Sequence, residues 1–393
     1  MIIKPKTRGF ICTTAHPEGC KKIVSDQIEY AKAHKSGFDC KKVLVIGASM
    51  GYGLSARIAA AYSAGASTIG IIFDKEGSEK KPASAGWYNT AAFEEAAHAD
   101  GLYAKTINGD AFSAEIKQQT IDLIKKDFGK VDMVIYSLAA PRRTTADGTV
   151  YSSVLKTTEG NYTNKTIDLK DNTIQEVTIE PATEEEVLHT VKVMGGEDWM
   201  DWMDALVAAD AIEENAVTVA FSYLGPEITH PIYMNGSIGK AKKHLYETSK
   251  LISEKYSGIK AYTSVNKALV TQSSSAIPVV PLYMSILFKV MKKAGTHEGC
   301  IEQMTRLFTD KLASGSAVTD SDGFIRLDDY EMKEDIQSEV KEIWDNVTTE
   351  NVKESADVDG YWNDFFALFG FGAEGVDYEA DTSPVYDIPS LKN

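Results

Sequence analysis

The run Lys42-Val43-Leu44-Val45-Ile46 ends in glycines at Gly47, Gly51 and Gly53, and the alanine-rich Leu54 to Ala64 continues with helical character. The order predicts a strand, a tight turn and a helix N-terminus. Such a turn aims backbone N–H groups and the positive end of a helix dipole at a pyrophosphate. Glycines suit it because a Cβ would hold the backbone away from the phosphates. A second apolar run, Ser67 to Phe73, ends in Asp74, 21 residues after Gly53. An acid at that place accepts an adenosine ribose 2′-OH and repels a 2′-phosphate. The pattern predicts a dinucleotide site that prefers NADH.

The glycine spacing G-x3-G-x-G resembles that of short-chain dehydrogenase/reductases rather than the commoner G-x-G-x-x-G. At 393 residues the chain has room for two domains or one large α/β domain. A net charge of −16 argues against nucleic acid or an anionic membrane as partner. Cys12, Cys20, Cys40 and Cys300 are few and irregularly spaced, which predicts a reducing compartment without disulfides. Met1-Ile2-Ile3-Lys4-Pro5 has no signal-peptide core, and no apolar run approaches ~20 residues. These features predict a cytoplasmic enzyme, or one of an organellar matrix if a presequence has been removed.

Helices are predicted over Lys21–His34, Thr90–Asp100 and Ala114–Phe128, with strands at Tyr103–Ile107 and Val131–Leu138. Strands alternating with helices of this length predict a parallel sheet with right-handed crossovers. Residues 141–190, rich in Thr, Asn, Lys and Glu, break the rhythm and predict a hairpin insertion at the sheet's edge. It resumes with a helix near Trp199–Ala209, a strand Val217–Tyr223, a helix Ser237–Tyr256 and a strand Ile259–Val265. Pro278 and Pro281 introduce an apolar helix, Leu282–Lys293; beyond Lys311 the chain is acidic, with helices near Asp329–Trp344 and Trp362–Leu368. The expected fold is α/β, an extended Rossmann-type parallel sheet flanked by helices, with a hairpin insertion and a helical C-terminal extension. The expected organisation is one domain: extension 1–41, dinucleotide half 42–140, insertion 141–190, catalytic half 191–310 and extension 311–393.

Reductases of this fold aim a tyrosine hydroxyl at the substrate, and a nearby lysine grips the nicotinamide ribose and favours the phenolate. Three spacings compete: Tyr246 to Lys250 as Y-x3-K, Tyr233 to Lys240 as Y-x6-K, and Tyr233 to Lys242 as Y-x8-K. The first lies on one helix face. Ketone reductases also use a serine about 13 residues before the tyrosine, and here that position is Tyr233. A nine-residue spacing on one helix leaves the groups half a turn out of phase. Tyr233 must therefore precede the helix, with Ser237 as its N-cap and Lys242 in its second turn.

Several segments resemble the NADH-dependent enoyl reductases of the FabV type, which include trans-2-enoyl-CoA reductases. They are Arg8-Gly9-Phe10-Ile11-Cys12 with His16-Pro17, Gly86-Trp87-Tyr88-Asn89, Tyr136 through Pro141, Lys192 through Trp199, Tyr233 through Lys242, Lys267 through Gln272, Ile277 through Tyr283, and His297 through Cys300. The resemblance spans nearly the whole chain and implies NADH-dependent reduction of trans-2-enoyl thioesters carried on coenzyme A or acyl carrier protein, by a monomer. The family's Y-x8-K matches Tyr233 and Lys242, and its second substrate-contacting tyrosine matches Tyr223. The family's usual glutamate after the second strand is Asp74 here. The candidate cofactor contacts are Gly47, Ala48, Ser49, Met50, Gly51, Tyr52, Phe73, Asp74, Asp110, Ala111, Leu138, Ala139, Lys242, Val270, Thr271 and Gln272. The alternatives are a ketoacyl or ketone reductase using Tyr246 and Lys250, and a non-catalytic dinucleotide-binding protein.

Cys12, His16 and Cys20 supply three metal-ligand types without a fourth, and a packed segment is the better account. Asp320-Ser321-Asp322-Gly323 resembles the start of a calcium loop with Glu331 at its end, but the glycine falls two positions early, which predicts a polar turn. Leu282 to Met291 is expected to line the core, and in a functional version to wall an acyl chain. Glu184-Glu185-Glu186 reads as a solvated helix start.

Overall fold

The first strand, β1 (Lys42–Ile46), explains why a continuous apolar run was diagnostic: Val43, Leu44, Val45 and Ile46 are all fully buried, so both faces of the sheet are covered. Successive side chains point to opposite faces. Val43 and Val45 enter one core, with Met133, Ile135 and Val219, while Leu44 and Ile46 enter the other, with Val134, Tyr136 and Ala220. The computed structural model describes residues 1–8, 11–168, 171–272, 274, 277–313 and 316–392. Gly9 and Phe10, within the first of the matching segments, lie outside the described residues.

The remaining sheet strands are β2 (Ser67–Ile72), β3 (Ala104–Asn108), β4 (Val131–Tyr136), β5 (Ile212–Ser222), β6 (Lys260–Val265) and β7 (Phe324–Arg326). Their order is β7-β6-β5-β4-β1-β2-β3, and every pairing is parallel. The chain leaves β1 toward β2 and β3, then returns to the other side for β4 and beyond. Between β1 and β4 the direction of winding reverses, which opens a crevice at the strands' C-terminal ends. This is the Rossmann-type arrangement.

The predicted hairpin at the sheet's edge is corrected. Residues 141–190 contain two antiparallel ribbons, Arg142–Thr144 with Val150–Ser152 and Tyr162–Asp168 with Thr173–Ile179, and neither pairs with the sheet. They leave from β4, a central strand. The second ribbon buries Ile167 and Ile179 and packs on helix α8 (Val280–Ala294), where Thr166 Oγ1 accepts the Val279 N–H at 3.3 Å. One sheet edge is instead β7, whose three residues are too few to show periodicity.

Glu184–Met194 is a helix with a capping box between Thr183 and Glu186, consistent with the acidic run as a helix start. Helix α7 (Ser237–Lys255) is capped by Gly236, not Ser237. Ser237 is its first residue, and its hydroxyl donates to Val154 O at 2.5 Å, tying α7 to the insertion. Among the described residues no helix is long and apolar enough to cross a membrane.

Candidate active site

The glycine turn closes by backbone contact. Gly47 has φ +85°, and a Cβ there would collide with Ser137 O; one on Gly53 would collide with Gly47 O. Gly51 differs: its φ is +53°, and a Cβ would meet only Thr271 Cγ2 at 3.8 Å. The following helix, α2 (Gly51–Tyr62), has Met50 at its N-cap and no side-chain cap. Its first N–H groups therefore face the cleft with no side-chain partner, as an anion site requires. The missing Cβ of Gly51 leaves the cradle open to a diphosphate.

A cleft of ≈ 430 Å³ lies against this turn. Of the predicted contacts, Gly47, Ser49, Met50, Gly51, Tyr52, Phe73, Asp74, Asp110, Ala111, Leu138, Ala139, Lys242, Thr271 and Gln272 line it. Ala48 does not; it is buried beneath the turn with its N–H on Ile71 O. Val270 lines an adjoining cavity that shares Met50, Gly51 and Leu368 with the cleft. Phe112, Ser137, Met194, Phe221, Leu245 and Leu368 also line the cleft and were missed. Ser137 and Met194 fell inside matching segments, and that was the only signal.

Asp74 is held at the rim from both sides. Its N–H donates to Asn108 Oδ1 at 2.9 Å, and Asn108 Nδ2 donates to its carbonyl at 3.0 Å. Ser84 Oγ donates to the carboxylate at 2.8 Å, and Gly86 lies so close that a Cβ would strike it. Burial pushes the carboxyl pKa up, and hydrogen bonds from Ser49 and Ser84 oppose this. Beside it Phe73 is 79% exposed, an apolar ring at the rim with little protein over it.

Tyr233 precedes α7, as the spacing required. Its N–H donates to Thr229 O, and its carbonyl accepts from Gly236 N. Its ring meets Tyr223 edge-on, centroids 4.7 Å apart. Burial, and then the charge of Glu331, push the Tyr233 phenol up and keep it protonated. Lys242 is not among the groups that shift it. Lys242, in the second turn of α7, lines the cleft and donates to Phe221 O at 2.8 Å; burial pushes its pKa down to about 8. Tyr223 donates to Glu331 Oε1 at 3.0 Å.

The competing pair lies elsewhere. Tyr246 donates to Asp322 O, its ring packs on Phe324 of β7 at 4.3 Å, and Lys250 sits over that ring at 4.2 Å. Neither residue lines the cleft. The Asp320 turn is closed by its own carboxylate, which accepts from Asp322 N and Phe324 N, while Glu331 is fully buried. Cys12 donates to Thr14 O and His16 accepts from Gly19 N; among the described residues no three metal-ligand side chains converge. Helix α8 is core: Leu282, Met284, Ile286, Leu287 and Phe288 are each fully buried, and none lines the cleft or its neighbouring cavity.

A glycine turn at the switch point, an anchored acid beyond the second strand and a buried lysine in the cleft wall define the class: a dinucleotide-dependent α/β reductase; Tyr223 and Tyr233, like Tyr246, do not line that cleft. Comparison with known proteins narrows it. Residues 81–313 match the trans-2-enoyl-CoA reductase catalytic region, and residues 2–79 match the NAD(P)H-binding domain of the same enzymes. The chain is 57% identical over 394 residues to a trans-2-enoyl-CoA reductase [NADH] of Ruminiclostridium cellulolyticum, covering 100% of both. It is 56% identical over 396 residues to an enoyl-[acyl-carrier-protein] reductase [NADH] of Flavobacterium johnsoniae, again covering 100% of both. The crystal structure of Treponema denticola trans-2-enoyl-CoA reductase in complex with NAD superposes with a TM-score of 0.95 at 49% identity, over 98% of this chain and 99% of that one. The chain belongs to the family of trans-2-enoyl-CoA reductases and FabV-type enoyl-acyl-carrier-protein reductases.

A third match, residues 319–382, is described as an enoyl reductase FAD-binding domain. The residues there do not fit a flavin. Helices α10 (Glu334–Asn346) and α12 (Val358–Ala367) bury Ile336, Val340, Trp344, Tyr361 and Phe365, and both pack on α8. Their N-termini are taken by Glu334 and Asp335 in one and by the Asp357 cap in the other, carboxylates that would repel a diphosphate.

Proposed function

We propose that this chain reduces trans-2-enoyl thioesters on coenzyme A or acyl carrier protein to saturated acyl thioesters, with NADH as reductant, in fatty acid synthesis or elongation. When bound, NADH supplies the hydride for the β-carbon of the enoyl group. Gly47, Ser49, Met50 and the start of α2 would hold the diphosphate, Asp74 would take the ribose 2′-OH, and Phe73 would offer a face to the adenine. Lys242 binds the nicotinamide ribose. Charge then develops on the thioester oxygen, and Tyr233 donates its hydroxyl to that oxygen and later supplies a proton. A donor aimed at developing charge in a dry site typically contributes on the order of 3 kcal/mol.

The observation that best supports this is the contrast between the two tyrosines. Tyr233 is held protonated beside Tyr223, ahead of the helix that carries Lys242, whereas the Tyr246 hydroxyl is spent on Asp322 O. That contrast disfavours a ketoacyl reductase built on Tyr246 and Lys250. We also read the chain as one extended domain, a cytoplasmic monomer. One sheet drawing strands from residues 42 to 326 supports the first of these. The test is NADH consumption on crotonyl-CoA, longer enoyl-CoAs, an enoyl-acyl carrier protein and acetoacetyl-CoA. Turnover of an enoyl thioester with none on the ketone is expected; the reverse preference, or tight NADH binding without any turnover, overturns the proposal.

A further inference from the structure

Directly behind the tyrosine pair lies a carboxylate that the reaction as described does not use. Glu331 is fully buried, and its Oε1 accepts two hydroxyls, Tyr283 at 2.7 Å and Tyr223 at 3.0 Å. Its Oε2 accepts the Ala268 N–H at 2.7 Å. Lys267, also buried, donates to Ala268 O at 2.9 Å and supplies the nearby positive charge that opposes Glu331's burial. Gln337 closes the group, donating to Tyr283 at 3.2 Å and to the Glu331 carbonyl at 2.7 Å. Three places in the fold meet on this one side chain: the exit of β5, the exit of β6 and the first turn of α8.

A buried carboxylate is a costly way to fill space, since an apolar residue of like size often serves stability as well or better. What the carboxylate does that an apolar residue does not is accept hydrogen bonds from hydroxyls. With its hydrogen on Glu331, Tyr223 offers only lone pairs to whatever lies on its other side. Among the described residues no hydrogen bond to the Tyr233 hydroxyl is formed, and its ring partner is Tyr223.

We propose that Glu331 is a positioning residue that accepts the Tyr223 O–H hydrogen bond, holds that ring edge-on against Tyr233, and so leaves Tyr233 as the one hydroxyl of the pair able to donate to the thioester oxygen. This rests on the role given to Tyr233 above and changes the role of Tyr223, from a substrate contact to the part that sets Tyr233's place. Tyr283 bears on the same oxygen of Glu331 and strengthens or weakens the hold on Tyr223 without reaching the cleft.

The experiment is a double-mutant cycle read as kcat and KM for NADH with crotonyl-CoA, on full-length protein corrected for folded fraction. Glu331→Gln leaves one accepting oxygen where two served, so the Tyr223 and Tyr283 hydroxyls and the Ala268 N–H compete for it and the hold on Tyr223 weakens. Glu331→Gln and Tyr223→Phe should each lower kcat roughly tenfold with KM for NADH within about twofold, and the double variant should be no worse than the poorer single. Losses that multiply in the double variant mean independent roles and overturn the proposal, as does a full-rate Glu331→Gln enzyme. Where Glu331→Gln does not fold, Tyr283→Phe takes its place. It should lower kcat by roughly two- to fivefold in the wild-type background and not at all in Tyr223→Phe. Equal drops in both backgrounds refute the coupling. Tyr233→Phe, assayed alongside, separates the two failures: if it stays active, the role of Tyr233 falls whatever the cycle gives.

Discussion

Asp74→Asn should convert an NADH enzyme into one that accepts both dinucleotides. The carboxylate is fixed by Asn108 through the backbone and by Ser84 at 2.8 Å, so it has little freedom to swing away from a 2′-phosphate. At a separation of about 5 Å and an effective dielectric of about 40, each pair of unit charges costs about 1.7 kcal/mol. A phosphate monoester carries about 1.5 to 2 charges near pH 7, so the repulsion comes to about 2.5 to 3.5 kcal/mol, or roughly 10²-fold. Asparagine keeps the shape and the Ser84 contact while removing the charge. The loss of a good acceptor for the 2′-OH should weaken NADH by about 1 to 2 kcal/mol. The assay is kcat/KM with NADH and NADPH at saturating crotonyl-CoA, across pH. Because burial pushes the Asp74 pKa up, discrimination by the wild type should narrow as pH falls toward that pKa and the charge is lost; the variant's ratio should be flat. Lys75, adjacent and exposed, softens the preference without reversing its sign. Equal efficiency of the wild type with both cofactors, or an unchanged ratio in Asp74→Asn, would refute the reasoning.

Gly51→Val places a branched side chain in the cradle at a φ of +53°; NADH affinity should fall by roughly 10²-fold or more, with far-UV circular dichroism retained. Unchanged binding would make the turn purely structural. With its pKa pushed down to about 8, Lys242 should lose its charge in the free enzyme as pH rises through that value, and NADH affinity should drop there. Lys242→Arg, which stays charged, should remove the step, and a step that persists in the arginine variant excludes this lysine as its source. Glu94 and Arg57 form a fully buried pair at 3.7 Å, with Ser390 donating to the same carboxylate. Glu94→Ala strands the guanidinium and should cost about 3 to 5 kcal/mol in urea unfolding, with activity per folded molecule kept; a loss below about 1 kcal/mol would count against an ionised pair.

Much of this was legible because the residues concerned act locally. Burial on both faces makes parallel strands continuous apolar runs, and Gly47, Gly51 and Gly53 advertise a turn within one short segment. Once the resemblance paired Tyr233 with Lys242, helical phase placed Tyr233 ahead of α7. Ala48, one of the predicted contacts, turns its N–H to the sheet side, since proximity in sequence says nothing of which side of a turn a residue takes. Glu331 showed in the sequence only as the end of a calcium-like loop, and its place beside the tyrosines was hidden for the opposite reason. Its partners Tyr283, Ala268 and Tyr223 lie 48, 63 and 108 residues away, and an acid in an acidic tail carries no local mark of burial. The ribbons of residues 141–190 were found but misplaced, since alternation reveals a strand and not what it packs on.

The most direct test compares two conservative substitutions in one assay, NADH oxidation with crotonyl-CoA. Tyr233→Phe removes only the hydroxyl proposed to donate to the thioester oxygen, so kcat should fall by roughly 10²-fold or more while KM for NADH changes little. Tyr246→Phe removes only a bond to Asp322 O and should stay near the wild-type rate. A dead Tyr246 variant beside a near-wild-type Tyr233 variant would contradict the assignment of the catalytic pair.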